Sequence, residues 1–176
     1  MKNANTVLFA ALLALGVGGC RGGQATQEAP APVAVKTVAD YFDIGLGGRT
    51  VRLQVAVRLP EMERGLMERR QLARDEGMIF VYATPQQMSF WMHDTPTPLD
   101  IGFFGPDGVL AEVYPLLPFD ERTVASRSMR LQFAIEMNQG WYAANDIRPG
   151  ARLDLAELSA AMRARGFDPK AYRLPE

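Results

Sequence analysis

The chain has 176 residues, of which 48% are hydrophobic and 22% charged, with a formal net charge of -1. This composition predicts a packed globular domain and excludes a disordered chain. Both signs of charge are interspersed and no basic stripe occurs, so nucleic acid is not expected as a partner.

Residues 1–19 have the layout of a secretory signal peptide. One lysine lies in residues 1–5, residues 7–17 are almost wholly apolar, and Gly18 and Gly19 precede Cys20. The apolar run is shorter than the roughly 20 residues of a membrane-spanning helix, and small residues before a cleavage point are typical of a signal. The same pattern resembles a lipobox, which predicts acylation of Cys20. An ordinary cleaved signal that happens to contain a cysteine is the alternative.

Cys20 is the only cysteine, so no disulfide and no thiolate metal site is expected. An acylated Cys20 makes the membrane a partner through its lipid alone. We therefore expect a periplasm-facing protein of the bacterial cell envelope. Arg21 follows the cysteine, and by resemblance to the sorting of Gram-negative lipoproteins this favours the outer over the inner membrane.

Residues 20–36 are rich in Gly, Gln, Ala and Pro and predict a semi-extended tether. Residues 37–176 then have the usual length of a single domain with one core. Strand patterns dominate this part. Gly47-Gly48 and "GPDG" at 105–108 predict two hairpins, and further strands are predicted over 77–82, 88–93 and 131–137.

Helical patterns are fewer. Residues 60–72 predict a helix that contains Gly65, residues 155–165 predict an amphipathic helix, and "QGWYAANDI" predicts one more turn or short helix. The fold class expected is mainly β (α+β), a small closed or nearly closed barrel-like domain with two or three short helices.

Three segments make a family resemblance visible. They are "RGLMERRQLARDEGMIFVY" (64–82), "FWMHDTPTPLDIGFF" (90–104) and "LQFAIEMNQGWYAANDIRPGARL" (131–153). In this order they resemble the bacterial and archaeal family called domain of unknown function 192. The resemblance implies a mainly β, barrel-like fold and no settled biochemical role. At the two positions directly after the Phe-Trp-Met of residues 90–92, members of the family commonly have Lys or Arg followed by Asn. This chain has His93 and Asp94 there.

Alternation along "SFWMH" places Trp91 and His93 on one face and Phe90 and Met92 on the other. An indole beside an imidazole suits ligand recognition. We therefore predict a groove for a ligand, and its expected lining is Trp91, His93, Thr95 and Asp100, with Arg69 arriving from the helix. The structural alternative is that Trp91 fills one end of the barrel and that Arg69 or backbone amides hold Asp100.

Glu136 faces away from Phe133, Ile135 and Met137 if residues 131–137 form a strand. One interpretation is a solvated edge. The other is a pairing with Arg69 or Arg70 across the barrel mouth, which would add Glu136 to the ligand site.

A complete catalytic set is not recognisable. One histidine and an acylated cysteine offer too few ligands for zinc, no Gly-x-Ser-x-Gly motif occurs, and "GLGG" lacks the lysine and helix of a phosphate loop. No catalytic residue, metal or cofactor is predicted. The expected function is a binding module for a glycan, a peptidoglycan fragment or an envelope protein. The alternatives are a hydrolase that uses His93 with Asp94 or Asp100, and a structural assembly factor.

Overall fold

A computed structural model describes residues 34–175 of the chain. The predicted signal peptide, Cys20 and most of the predicted tether lie outside the described residues. Over 34–175 the chain forms eight strands, three α-helices and one 3₁₀ helix. The strands are β1 (Tyr41–Leu46), β2 (Arg49–Ala56), β3 (Glu76–Gln86), β4 (Ser89–Phe90), β5 (Leu99–Phe104), β6 (Leu110–Leu116), β7 (Val124–Ala125) and β8 (Leu131–Asn138). The helices are α1 (Leu59–Arg64), α2 (Trp141–Ala144), α3 (Leu155–Ala164) and the 3₁₀ helix Pro169–Tyr172.

Six strands form one mixed sheet in the order β1-β2-β3-β8-β5-β6. Only β2 and β3 run parallel within it, and the crossover between them contains α1. The short strands β4 and β7 pair with each other as a separate ribbon. The ribbon and α1 both come to lie near the middle of the main sheet, which is where the candidate site is found.

Both predicted hairpins are confirmed. Gly47 and Gly48 join β1 to β2 with φ values of 59° and 82°, the positive φ pair that a two-residue turn between twisted strands requires. The turn at residues 105–108 joins β5 to β6, and Gly108 has a φ of 75°.

The main sheet buries both of its faces. One face, here the helix face, packs Ile79, Ile135 and Met137 against Trp141 of α2 and Met162 of α3. The other face, here the pocket face, packs strand residues under Leu66 and under the segment around β4. Its members are Ala56, Leu66, Met78, Phe80, Met88, Phe90, Met92, Leu99, Ile101, Phe103, Leu116, Leu131 and Ala134.

Residues 150–154 connect the two outer strands at one end of the sheet. Leu153 bridges to Leu46 at the end of β1, and Arg152 bridges to Val109 just before β6. Gly47 N donates to the Arg152 carbonyl, and Leu110 N donates to the carbonyl of residue 151, both at 2.8 Å. The mainly β, α+β class is therefore confirmed, and the sheet is drawn together at this end without being fully closed.

The predicted helix over 60–72 is shorter in the structure. Gly65 does not sit inside it: with a φ of 46° this residue ends α1, and its N–H donates to the Glu61 carbonyl. Arg69 consequently lies in the loop after the helix and not on it. The predicted helix over 155–165 is confirmed as α3, which begins where the Asp154 carboxylate accepts from the N–H groups of Ala156 and Glu157 at 2.9 Å.

Candidate functional site

Glu136 lies at the bottom of a pocket on the pocket face of the sheet. It is the sixth residue of β8, and its sheet neighbours are Met78 of β3 and Ile101 of β5. Its side chain is only 4% exposed. The interpretation as a solvated edge is therefore wrong: the face opposite Ile135 and Met137 is a second core.

The pocket above Glu136 has a volume of about 220 Å³ and a lining of mixed polar and apolar groups. Phe80 and Phe90 meet edge to face with ring centroids 4.9 Å apart. Gly65 lies in van der Waals contact with the Phe80 ring, and α1 and the following turn cover the pocket. Its lining is Leu59, Met62, Glu63, Arg64, Gly65, Leu66, Met67, Phe80, Tyr82, Ser89, Phe90, Trp91, Thr95 and Glu136.

The Glu136 carboxyl makes no hydrogen bond or ion pair with any residue of 34–175. Burial alone raises its pKa to about 8, because a carboxylate loses its hydration in such surroundings. The group is therefore mostly protonated at pH 7. The predicted pairing with Arg69 or Arg70 is not formed.

Trp91 stands at the rim of the pocket and is 47% exposed. The His93 ring stacks on it, with centroids 4.8 Å apart and planes 16° from parallel. The two side chains thus lie together, as alternation predicts, although only Ser89 and Phe90 have strand geometry. Trp91 does not fill a barrel end.

His93 is held between two carboxylates. Its Nδ1 lies 2.8 Å from Glu121 Oε1, and its Nε2 lies 3.4 Å from Asp94 Oδ2. The hydrogen bond with Glu121 raises the pKa of His93, and the charge of Asp94 adds to this. Both acids favour the imidazolium form.

Thr95 is buried and lines the pocket. Its Oγ1 donates to the His93 carbonyl at 2.9 Å, so its hydroxyl hydrogen is already used. The chain turns between them at Asp94, whose φ is 48°. The hydrogen bond between Thr95 and the His93 carbonyl holds the turn that follows Trp91 at the rim of the pocket.

Arg69 and Asp100 lie apart from Glu136. Arg69 donates from Nη1 to Tyr41 Oη at 3.1 Å and lines a neighbouring cavity. Asp100 pairs in register with Met137, so it is on the helix face, where its Oδ2 accepts from Gly140 N at 2.8 Å. Burial raises the pKa of Asp100 against the effect of that bond. The structural alternative, a backbone amide that holds Asp100, is the arrangement observed.

Several pocket residues were not predicted from the sequence. Phe80 and Tyr82 belong to an apolar run, and nothing local shows which of them face the same way as Glu136. Gln54 is also buried on this side, where it lines the cavity of Arg69, and its Oε1 has no hydrogen-bond partner among the described residues. The sequence signal that could have found Gln54 is its place as a polar residue between the apolar residues Leu53 and Val55 of β2.

Within residues 34–175, no three His, Cys, Asp or Glu side chains cluster in a way that would hold a metal ion. No helix in that range has both the length and the apolar character to span a bilayer.

Comparisons with known proteins place the chain in a family. The model of the family DUF192, described as "Uncharacterized ACR", matches residues 43–155. A solved protein of unknown function from Novosphingobium aromaticivorans DSM 12444 is 31% identical with a TM-score of 0.63, and the match covers 76% of this chain and 99% of that one.

A candidate transcription regulator from Sinorhizobium meliloti 1021 is also 31% identical, with a TM-score of 0.60 over 65% of this chain and 95% of its own. A search of curated proteins gave no match to this chain. The family match spans well over half of the chain, and the solved relatives share its fold almost to their full length. The chain therefore belongs to the domain of unknown function 192 family.

Proposed function

We propose that this protein is a lipid-anchored component of the bacterial cell envelope whose β-rich domain binds a small ligand in the Glu136 pocket. The ligand-binding part of the proposal is supported by a buried carboxyl that has no partner among residues 34–175 and that lines an open cavity with aromatic side chains; the lipid-anchored part is supported by the lipobox-like pattern before Cys20. Buried polar groups in proteins are nearly always hydrogen-bonded, and a strongly perturbed acid in a concave site is a candidate for function.

The size of the pocket limits what it can take. A volume of about 220 Å³ is below the several hundred Å³ usual for sites that enclose a drug-sized ligand. One group of a larger molecule, or one small molecule, fits such a space. A glycan, a peptidoglycan fragment or an envelope protein would therefore enter by a single side group, with Trp91 and His93 contacting the rest at the rim.

Hydrolysis is supported less well than binding. A general base needs a neutral imidazole with a free nitrogen, whereas both ring nitrogens of His93 face carboxylates. Asp100, the other acid considered, lies on the opposite face of the sheet. A net charge of -1 offers no attraction to phosphate backbones, so we do not extend the name of the Sinorhizobium relative to this chain.

The test is a titration of the purified full chain with muropeptides and short oligosaccharides, followed by tryptophan fluorescence and calorimetry. A saturable response is expected, lost in Trp91→Phe by fluorescence and weakened at least tenfold in Glu136→Gln by calorimetry. Met129→Ala is the matched control, because Met129 is exposed and does not line the pocket. Binding that is unchanged in both pocket variants would contradict the proposal.

A further inference from the structure

The Glu136 pocket holds no positive side chain that is free to pair with Glu136. Three charged side chains line it: Glu63, Arg64 and Glu136. Arg64 is engaged by Glu68, with Nη2 and Oε2 only 2.6 Å apart on the surface. Among the described lining residues, no base is therefore free to pair with the buried Glu136 carboxyl, which stays protonated in the empty pocket. A positive group that enters the pocket would give this carboxyl its first ion-pair partner.

The walls suit a cation better than a sugar. The rings of Phe80, Tyr82, Phe90 and Trp91 surround the space, and the faces of such rings attract positive charge. Sugar hydroxyls would each need a hydrogen-bond partner. The neutral polar side chains of the lining are Glu136 in its protonated form, Tyr82, Ser89 and Thr95. Of these, Thr95 already donates its hydrogen to the His93 carbonyl.

We propose that the Glu136 pocket takes a small organic cation, an ammonium group on an apolar stem, with Glu136 as its counter-ion and the four aromatic rings around the charge. This rests on the proposed function and names the ligand class. A cation would supply the buried Glu136 carboxyl with the partner that it lacks among residues 34–175, and a buried charge becomes acceptable once it is paired.

Binding of a cation is coupled to a proton. Glu136 is protonated in the empty pocket at neutral pH and becomes a carboxylate in the complex, so one proton leaves for each ammonium ion bound. The charge of Glu136 acts on Tyr82 of β3 and on Tyr142 of α2, and Glu63 and Arg64 of α1 line the same pocket. The tyrosines have pKa values raised above 10.0, so they stay neutral below pH 8 and do not compete for this step.

The experiment compares three probes of nearly equal shape: benzylammonium, benzyl alcohol and benzoate. The full chain is titrated with each by calorimetry at pH 7. We expect benzylammonium to bind at least tenfold more tightly than the alcohol, and benzoate to bind most weakly. Glu136→Gln should reduce the preference for the cation to less than twofold. Glu63→Gln is the matched control, an exposed acid at the same pocket, and should keep most of the preference.

Proton release is the second measurement. Titrations in two buffers of different ionisation enthalpy should give about one proton released per benzylammonium at pH 6.5. Its affinity should rise about tenfold per pH unit up to about pH 8 and then level off. The hydrogen bond with Glu121 raises the pKa of His93, so the series is repeated in His93→Asn, where the same slope is expected.

Each other outcome has a defined meaning. If the alcohol or benzoate binds as tightly as the cation, or if no proton is released, the cation assignment is overturned while ligand binding in the pocket stands. If none of the three probes binds but muropeptides or oligosaccharides do, the assignment is likewise overturned. If no compound of either set binds, both the assignment and the proposed function fail.

Discussion

A carboxyl group buried without a partner lowers the stability of the fold at every pH where it would ionise in water. Glu136 is in this position, with a pKa of about 8 against an ordinary value of 4.5. Between those two values the folded state holds a proton that the unfolded chain has lost. Stability must therefore fall as the pH rises through this window.

We predict that Glu136→Gln removes this dependence. Urea unfolding at pH 5, 6, 7 and 8 should show wild-type stability decreasing with pH and a flatter line for the variant. Each unit of pKa difference is worth about 1.4 kcal/mol, so the variant should gain a few kcal/mol over wild type between pH 5 and 8. In the Glu63→Gln variant, the free energy of unfolding should change with pH in the same way as in the wild type. Parallel lines for Glu136→Gln as well would show that the carboxyl is not neutral in the fold.

The position of Glu136 shows how much the alternation of side chains along a strand can predict. Alternation put it opposite Phe133, Ile135 and Met137, which is correct. Whether that second face meets water or a second core depends on Leu66, Phe90 and other residues that are distant in sequence, and no local pattern reports this. The prediction that Asp100 lies beside Trp91 and His93 differs from the structure for a related reason. The face on which Asp100 lies follows from the pairing of β5 with β8, which the sequence alone does not give.

At the level of elements, Arg165 joins the end of α3 to the start of α1 and to β2. It is 1% exposed, donates to the Val55 carbonyl, and donates to Glu61 at 2.6 and 3.1 Å. Burial opposes ionisation of Glu61, yet the bonds from Arg165 and from the N–H groups of Arg58 and Val57 lower its pKa to about 2. The pair fixes where α1 begins, and α1 roofs the pocket.

We predict that Arg165→Ala lowers the free energy of unfolding by about 3 kcal/mol, since removing one partner of a buried ion pair leaves the other uncompensated. Chemical denaturation at pH 7 measures this. Arg163→Ala, an exposed arginine in the same helix, should change stability by less than about 0.5 kcal/mol. Equal effects of the two substitutions would mean that the ion pair contributes nothing beyond the helix itself.

Elements with strong local patterns were predicted well. The two hairpins and α3 follow from paired glycines, alternation and an amphipathic run that stops at Gly166. The helix after β2 was extended too far, because residues 66–72 are compatible with a helix by composition. Gly65, with its positive φ, ends it instead, and the pattern of the residues on either side does not show that the backbone turns there.

At the level of the whole molecule, the proposed envelope location depends on Cys20 and the residues before it. We predict that Cys20→Ser releases the protein from membranes or leaves its signal uncleaved, because a serine cannot carry the thioether-linked lipid. Fractionation of cells with an antibody to the domain measures both. Wild-type and variant protein found equally in the soluble fraction would contradict the lipid anchor.

The bridge formed by residues 150–154 covers one end of each outer strand of the main sheet. An outer strand with free N–H and C=O groups is a template on which a second copy can add its own strand, the first step toward aggregation. Here the ends of both outer strands are already paired, through Leu46 with Leu153 and Val109 with Arg152. Two copies that meet side by side, as the proposed lipid anchor would arrange them, would therefore find no open strand at this end on which to assemble.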